Sequence, residues 1–301
     1  MRTDTLLILN PAAGHGRGGR LREEIRRASE AVWGQVSVEI TARPGHAVEL
    51  ARSAAQDGAR RVLAVGGDGP VHEAANGLLQ SAATTLPVLG VVPVGTGNDF
   101  AKMTGTSRHH PMQAIERLAG GTVRRFDVGL AWGEYFVNSL GVGLDANVAE
   151  RVNGYRHWPG ALAYAVAAVQ AIAHRKARPL SVETDSEQWE LPTTVLEVGV
   201  GPCCGGIFYL TPDAKPDDGL LDVCVIGRFT GWFLLRHGHT VLRGKHTALK
   251  EVRMAKARRL TIRATDGPLV AHMDGEIRAP GRPELEITLV PAVLPVLCAH
   301  P

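Results

Sequence analysis

Val65-Gly66-Gly67-Asp68-Gly69 and, further along, Pro93-Val94-Gly95-Thr96-Gly97-Asn98-Asp99 are two glycine-rich turns. Each follows a short β-branched run, Arg61–Val65 or Pro87–Val92, and precedes a helix-like pattern. Such strand-turn-helix units place both turns at the same end of neighbouring parallel strands, where α/β sheets bind ligands. Glycines let backbone N–H groups approach a phosphate without an intervening Cβ. Asp68, Asp99, Thr96 and Asn98 add oxygens suited to a metal ion or a sugar. A polyphosphate nucleotide is the expected guest.

Working outward, residues up to about 125 alternate strand and helix: Leu6–Leu9 then Arg20–Val32, Val36–Ile40 then His46–Gln56, Arg61–Val65 then Val71–Leu79, and Val88–Val92 then Asp99–Met103 and Pro111–Ala119. That alternation predicts right-handed βαβ units, hence an α/β doubly wound parallel-sheet domain over residues 1–125. From about Thr122 the texture changes to short β-rich runs: Arg124–Trp132, Glu134–Ser139, Ser181–Thr184, Thr193–Val200, Leu221–Ile226, Arg259–Arg263 and Leu285–Leu289. These predict a C-terminal antiparallel β-sandwich domain over residues 126–289, interrupted by helices at Gly160–His174 and Gly231–Leu242.

The composition bounds the function classes. The chain has 301 residues, 45% hydrophobic and 21% charged, enough for two domains with separate cores. A net charge of +3 and only 5% aromatic residues, with no basic run interleaved with stacking side chains, argue against nucleic acid as a partner. The mild positive charge is compatible with an anionic membrane surface. Four cysteines, Cys203, Cys204, Cys224 and Cys298, show no metal-binding spacing and read as reduced cytosolic thiols. The N-terminal apolar run is too short for a signal peptide, and Trp158–Ala173 is too short for a membrane span, so no transmembrane segment is expected and the location is cytoplasmic.

Several motifs admit two readings. Gly14-His15-Gly16-Arg17-Gly18-Gly19, with Glu39 beyond it, matches a dinucleotide fingerprint, but Asn10 to Ala13 separate it from the strand; a loop closing over nucleotide phosphates, with Arg17 and Arg20 as charge partners, is the alternative. The run Asp213-Ala214-Lys215-Pro216-Asp217-Asp218-Gly219-Leu220-Leu221-Asp222 is either a solvated acidic turn or a turn whose carboxylate and carbonyls hold a hard cation such as magnesium. His272-Met273-Asp274-Gly275-Glu276 is either a plain Asp-Gly hairpin or a hairpin carrying a catalytic base, Asp274, that accepts a proton late in phosphoryl transfer. The helix at Gly231–Leu242 is either core or an interfacial face reaching toward lipid. His237, His239 and His246 read as solvated surface.

Taken in order, Asn10-Pro11 with its glycine-rich sequel, Gly66-Gly67-Asp68-Gly69, Pro93 to Ala101, Gly141-Val142-Gly143-Leu144-Asp145-Ala146, Asp217 to Asp222 and Asp274-Gly275-Glu276 resemble the diacylglycerol kinase catalytic-domain family. This is a group of bacterial lipid kinases akin to sphingosine and ceramide kinases and more distantly to NAD kinases. The resemblance implies ATP in a cleft between the two domains and a lipid hydroxyl at a membrane surface as phosphoryl acceptor, diacylglycerol first among candidates. It implies that Asn10, Pro11, Ala12, Ala13, Gly14, Thr41, Gly66, Gly67, Asp68, Gly69, Pro70, Val71, His72, Thr96 and Glu276 surround the nucleotide, and that Asp274 is the proton acceptor. It further implies a Mg2+ ion held by the carbonyls of Lys215 and Leu220 and the carboxylate of Asp218, and a C-terminal segment 290–301 that returns to the first domain. Exposed strand edges in the second domain are compatible with a homodimer. The chain departs from the family pattern at Pro70, where Thr is usual, at His72, where Asn is frequent, and at Val200, where Asn often precedes Gly-Pro. An NAD kinase-like enzyme, a kinase of sphingoid bases or other lipids, and an inactive nucleotide-binding regulator are the alternative functions.

Overall fold

The computed structural model describes residues 4–106, 110–143 and 177–300. The chain forms two compact units, Met1–Asp127 with Pro291–Pro301, and Val128–Val290.

The first unit is built on parallel strands β1 (Thr5–Leu9), β2 (Val36–Ile40), β3 (Arg61–Gly66) and β4 (Val88–Pro93), in the order β2-β1-β3-β4. Thr5 to Leu9 of β1 are all buried, as expected for a strand covered on both faces. The end of a long strand, β15 (Glu284–Cys298), joins beside β4, with Val296 opposite Leu89. Helices α1 (Ala13–Arg20), α2 (Arg22–Trp33), α3 (His46–Gln56), α4 (Asp68–Leu79), α5 (Asp99–Met103) and α6 (Pro111–Ala119) fill the connections. Leu7, Leu9, Leu63, Val65 and Val92 of the strands pack with Ile25 of α2 and Ile115 of α6. Helices α3 and α4 approach closely because Gly77 has no side chain; a Cβ there would lie 2.3 Å from the Val48 carbonyl oxygen. The Glu73 carboxylate of α4 accepts the Gly45 and Ala47 N–H groups at 2.8 and 3.0 Å, satisfying orphan donors at the start of α3.

The connection after β1 leads to one side of the sheet, and the connection after β2 leads past β1 to β3 on the other. The strand order therefore reverses between β1 and β3, and the crevice at their carboxyl ends is the topological switch point where open α/β sheets bind ligands.

The second unit is antiparallel. Strand β9 (Gln188–Gly199) pairs over its first half with β8 (Arg178–Thr184), and over its second half with β7 (Ser139–Val142) and β10 (Leu221–Gly227). Outward from β7 lie β13 (Ala271–Met273) and β14 (Glu276–Arg278); outward from β8 lies β12 (Arg259–Ala264), which pairs with the first part of β15. Strand β11 (Val252–Ala257) pairs with β10. Strand β5 (Thr122–Ala131) pairs with β6 (Glu134–Phe136) and carries the chain from the first unit into the second. Buried and exposed residues alternate along β12, the period-2 signature of a sheet with one face on the core. Helix α7 (Gly231–Val241) starts at Thr230, whose hydroxyl accepts the Phe233 N–H at 3.2 Å.

The parallel and antiparallel assignments both hold. Four local expectations change. Glycine-rich Gly14–Gly19, for which a loop was one reading, lies within Ala13–Arg20, helical on both sides of a kink at left-handed Gly14, His15 and Gly16; a Cβ on Gly14 would lie 2.1 Å from the Val94 carbonyl oxygen. Leu285–Leu289 is only the beginning of the 15-residue β15. Strand β11 escaped notice because Val252-Arg-Met-Ala-Lys-Ala257 alternates too weakly in polarity. His246, expected at the surface, is fully buried, with its ring Nε2 3.1 Å from the Leu210 carbonyl oxygen. The expected helix Gly160–His174 lies outside the described residues.

Candidate active site

The two glycine turns meet backbone to backbone. A Cβ built on Gly95 would lie 2.4 Å from the Gly67 Cα, and one on Gly67 would lie 3.3 Å from the Gly95 Cα. The Gly95 N–H donates to the Gly66 carbonyl at 3.1 Å, closing the turns on each other. Asn98, held at φ +52°, uses its side-chain oxygen to accept the Gly95 N–H at 3.1 Å and its amide to donate to the Gly95 carbonyl at 2.8 Å. Its side chain is thus a brace for the turn rather than the outward ligand expected from sequence. Asp99 is likewise committed, 2.7 Å from the Lys102 ammonium. The Asp68 carboxylate accepts the Phe100 N–H at 3.2 Å, linking the third and fourth strand-helix turns.

These turns flank the switch point together with the loop after β1. Asn10 donates its N–H to the Val65 carbonyl at 3.0 Å, and its side-chain oxygen accepts the Ala12 N–H at 3.0 Å. Thr41, just past β2, donates its N–H to the Leu9 carbonyl at 2.9 Å. Asn10 through Gly14, Thr41, Gly66 through His72 and Thr96 therefore converge on one end of one sheet. Thr96 is exposed and Gly67 to Pro70 are partly exposed, whereas Val71 and His72 are buried. Pro70 is the third residue of α4, inside the first turn, where a backbone N–H has no intrahelical acceptor. Proline there costs the helix no hydrogen bond, but it withdraws one of the N–H groups that could face a phosphate.

Asp274, Glu276, Lys215, Asp218 and Leu220 belong to the second unit. Asp274 sits at the β13–β14 turn with φ +50° and is buried. Its Oδ1 accepts the Asn138 and Ser139 N–H groups at 2.8 and 3.0 Å, and its Oδ2 accepts the Val137 N–H at 2.9 Å. Three charge-assisted bonds from one strand entry stabilise the carboxylate and lock its orientation. The segment is a hairpin, and its turn holds an oriented carboxylate. Glu276 opens β14 and is exposed.

At the turn read as a magnesium site, the Asp218 Oδ1 accepts the Leu220 N–H at 3.1 Å, while its Oδ2 lies 3.1 Å from the Lys256 ammonium. The same ammonium lies 3.0 Å from Asp222 Oδ2. Lys256 stands directly opposite Asp222 in the β10–β11 register, so the strand pairing delivers it. Burial works against the Lys256 charge, but the two carboxylates outweigh it and raise the lysine above its ordinary range. Asp222 is raised mainly by burial, against the opposing pull of Lys256. Two unit charges ~4 Å apart near a protein surface interact by about 4 kcal/mol, and a divalent ion beside an ammonium would be repelled by about twice that. The donor set fits a magnesium ion only if Lys256 leaves. No group of three or more His, Cys, Asp or Glu side chains suited to a metal occurs among the described residues.

Sequence reasoning missed Lys256, and also the buried pair His272 and Glu197, whose Nε2 and Oε2 are 3.4 Å apart. Only recognition of β11 as a strand, with its register, could have pointed to Lys256.

Residues 4–131 match the diacylglycerol kinase catalytic domain, and residues 138–298 match the YegS C-terminal NAD kinase beta sandwich-like domain. A diacylglycerol kinase of Mycobacterium tuberculosis is 30% identical over 299 residues, covering 96% of this chain and 93% of the relative. A diacylglycerol kinase of Bacillus subtilis is 27% identical over 271 residues, covering 90% and 88%. The crystal structure of a diacylglycerol kinase from Bacillus anthracis shares the fold, with a TM-score of 0.74 at 22% identity over 99% of this chain and 97% of that one. Paired glycine turns at the switch point of an α/β unit, followed by an antiparallel unit of this kind, define the class: the protein is a kinase. The chain belongs to the diacylglycerol kinase family.

Proposed function

We propose that this kinase transfers the γ-phosphoryl group of ATP, taken up as its magnesium complex, to the hydroxyl of a membrane lipid, with diacylglycerol as acceptor and phosphatidic acid as product. The observation that carries the reading is the contact of the Gly67 and Gly95 turns beside the N-terminus of α4 at the sheet's switch point. Bare backbone N–H groups and a helix N-terminus there suit a polyphosphate. In this reading Asn10 to Gly14, Thr41, Gly66 to His72, Thr96 and Glu276 surround the nucleotide, and Asp274 accepts the proton of the attacking hydroxyl. An alcohol is too weak an acid to ionise beforehand, so the carboxylate's main work is to orient the nucleophile while the proton moves late. Its own fixed orientation supports that role.

No helix among the described residues is long and apolar enough to cross a membrane. In this reading the enzyme reaches its lipid by contact with a bilayer surface from the cytoplasm, and α7 supports the contact. Trp232 is 70% exposed, Arg236 one turn further along the helix is exposed as well, and Arg243 is exposed just past the helix end. An aromatic side chain with arginines beside it is the pattern of an interfacial helix face.

The test is transfer of labelled γ-phosphate from ATP to a panel of lipid alcohols in mixed micelles, with NAD as a control acceptor. Label in phosphatidic acid is the expected result. Label in the NAD product, or in no acceptor, would overturn the reading.

A further inference from the structure

The family resemblance implies a bound divalent cation at the Asp217-Asp218-Gly219 turn, and the side chains around that turn say otherwise. We infer that the turn's resident cation is the protein's own Lys256 ammonium, and that the second unit of this kinase folds and stays folded without a divalent metal there.

Three observations carry this. Lys256 Nζ lies 3.1 Å from one oxygen of Asp218 and 3.0 Å from one oxygen of Asp222, so it bridges the carboxylate expected to hold the metal and the carboxylate of the second residue of the following strand. The other oxygen of Asp218 is taken by the Leu220 N–H, leaving the carboxylate engaged on both sides by groups of this chain. The arrangement is also built in rather than incidental: Lys256 is the direct cross-strand partner of Asp222 in a six-residue register, and the neighbouring Arg258 guanidinium donates to the Gly219 carbonyl of the same turn at 3.3 Å. Two cationic side chains from one strand end thus bind an acidic turn whose backbone carbonyls and carboxylate would otherwise gather a hard ion. The Lys256 ammonium and the Arg258 guanidinium together supply two positive charges without a divalent ion's demand for six oxygens. It also removes any dependence of this turn on metal supply.

The experiment uses the full chain without nucleotide, so that it reads the turn and not the metal carried with ATP. Thermal unfolding is followed in chelator and in excess MgCl2 for the native chain, Asp218→Asn and Lys256→Met. The native midpoint is expected to differ by less than about 1 °C between the two conditions. Lys256→Met is expected to be less stable in chelator and to regain several degrees in MgCl2, because the vacated carboxylates then accept the metal. Calorimetric titration of Mn2+ into the native chain and Asp218→Asn gives a second readout that needs no lysine variant; equal heats are expected. A native midpoint raised several degrees by Mg2+, or a Mn2+ site present in the native chain and lost in Asp218→Asn, would overturn the inference. So would a folded Lys256→Met chain indifferent to Mg2+, since the lysine would then not stand in a cation's place. Each result is independent of whether the acceptor is a lipid.

Discussion

His272 and Glu197 meet across the bare backbone of Gly141. The three residues lie in one row over adjacent strands, His272 opposite Gly141 and Gly141 opposite Glu197. Because Gly141 has no side chain, the imidazole Nε2 reaches within 3.4 Å of the Glu197 carboxylate, with both side chains buried. A Cβ on Gly141 would lie 2.2 Å from Nε2 and 2.4 Å from Oε2. Gly141→Ala should therefore force the pair apart and destabilise the chain by about 3 kcal/mol, combining overpacking with a strained buried pair. Urea unfolding checks this, and a loss below about 0.5 kcal/mol would contradict the tight fit.

The same pair predicts a pH dependence. Burial alone would lower the His272 pKa, but the Glu197 carboxylate, with Asp274 nearby, outweighs it and raises the net value. A histidine raised on folding stabilises the native state fully below its unfolded value of about 6.5 and loses that contribution as pH climbs through the folded value. Urea midpoints should fall as pH rises from about 6.5 through the folded value and level off beyond it. In His272→Gln the fall should be shallower; an identical pH profile would remove His272 as its source.

Asp274 combines two demands that one substitution can separate. Asn tolerates the left-handed φ of +50°, so Asp274→Asn keeps the backbone while replacing a carboxylate that accepts three N–H groups. Phosphoryl transfer should drop by roughly 10²- to 10⁴-fold, alongside a stability loss of about 1–3 kcal/mol. Single-turnover rates on protein shown to be folded separate the two. Normal transfer would end the proton-acceptor assignment.

The contact between the glycine turns is asymmetric, and that asymmetry is testable. Gly95→Ala meets backbone at 2.4 Å, whereas Gly67→Ala meets it at 3.3 Å. Titration calorimetry with a non-hydrolysable ATP analogue should show at least about tenfold weaker binding for Gly95→Ala, or ~1.4 kcal/mol, and a smaller loss for Gly67→Ala. The reverse order would mean that the turns do not bind nucleotide through this backbone contact.

Trp232 and its neighbour Phe233 differ in role despite being adjacent. Phe233 stacks on Phe229 with ring centres 5.6 Å apart, while Trp232 is exposed. Trp232→Ser should leave stability within about 0.5 kcal/mol and weaken sedimentation with anionic liposomes several-fold. Unchanged liposome binding would remove α7 as the membrane contact.

The alternation of strands and helices, the shift to β-rich texture near Thr122, and the glycine turns were readable along the chain because each depends on local steric demands. A buried parallel strand reads as an apolar run, and a backbone-to-backbone turn tolerates only glycine. The two glycine turns could be grouped for the same reason, since parallel βαβ units bring every strand's carboxyl end to one edge; Asn10 to Gly14 and Thr41 joined them only through the family resemblance. Which side chains would become partners was not readable. The donors to Asp274 come from Val137 to Ser139, the cation at Asp218 comes from β11, and the partner of His272 comes from β9. Those pairings follow from strand order and register between segments far apart in sequence, and a slip of one residue would turn each side chain to the opposite face. The sequence by itself determined two glycine turns at one end of a parallel sheet, because only local sterics decide them; only the tertiary structure decided that Asn98 braces its own turn, that His246 is buried, and that a lysine occupies the turn where a metal was expected.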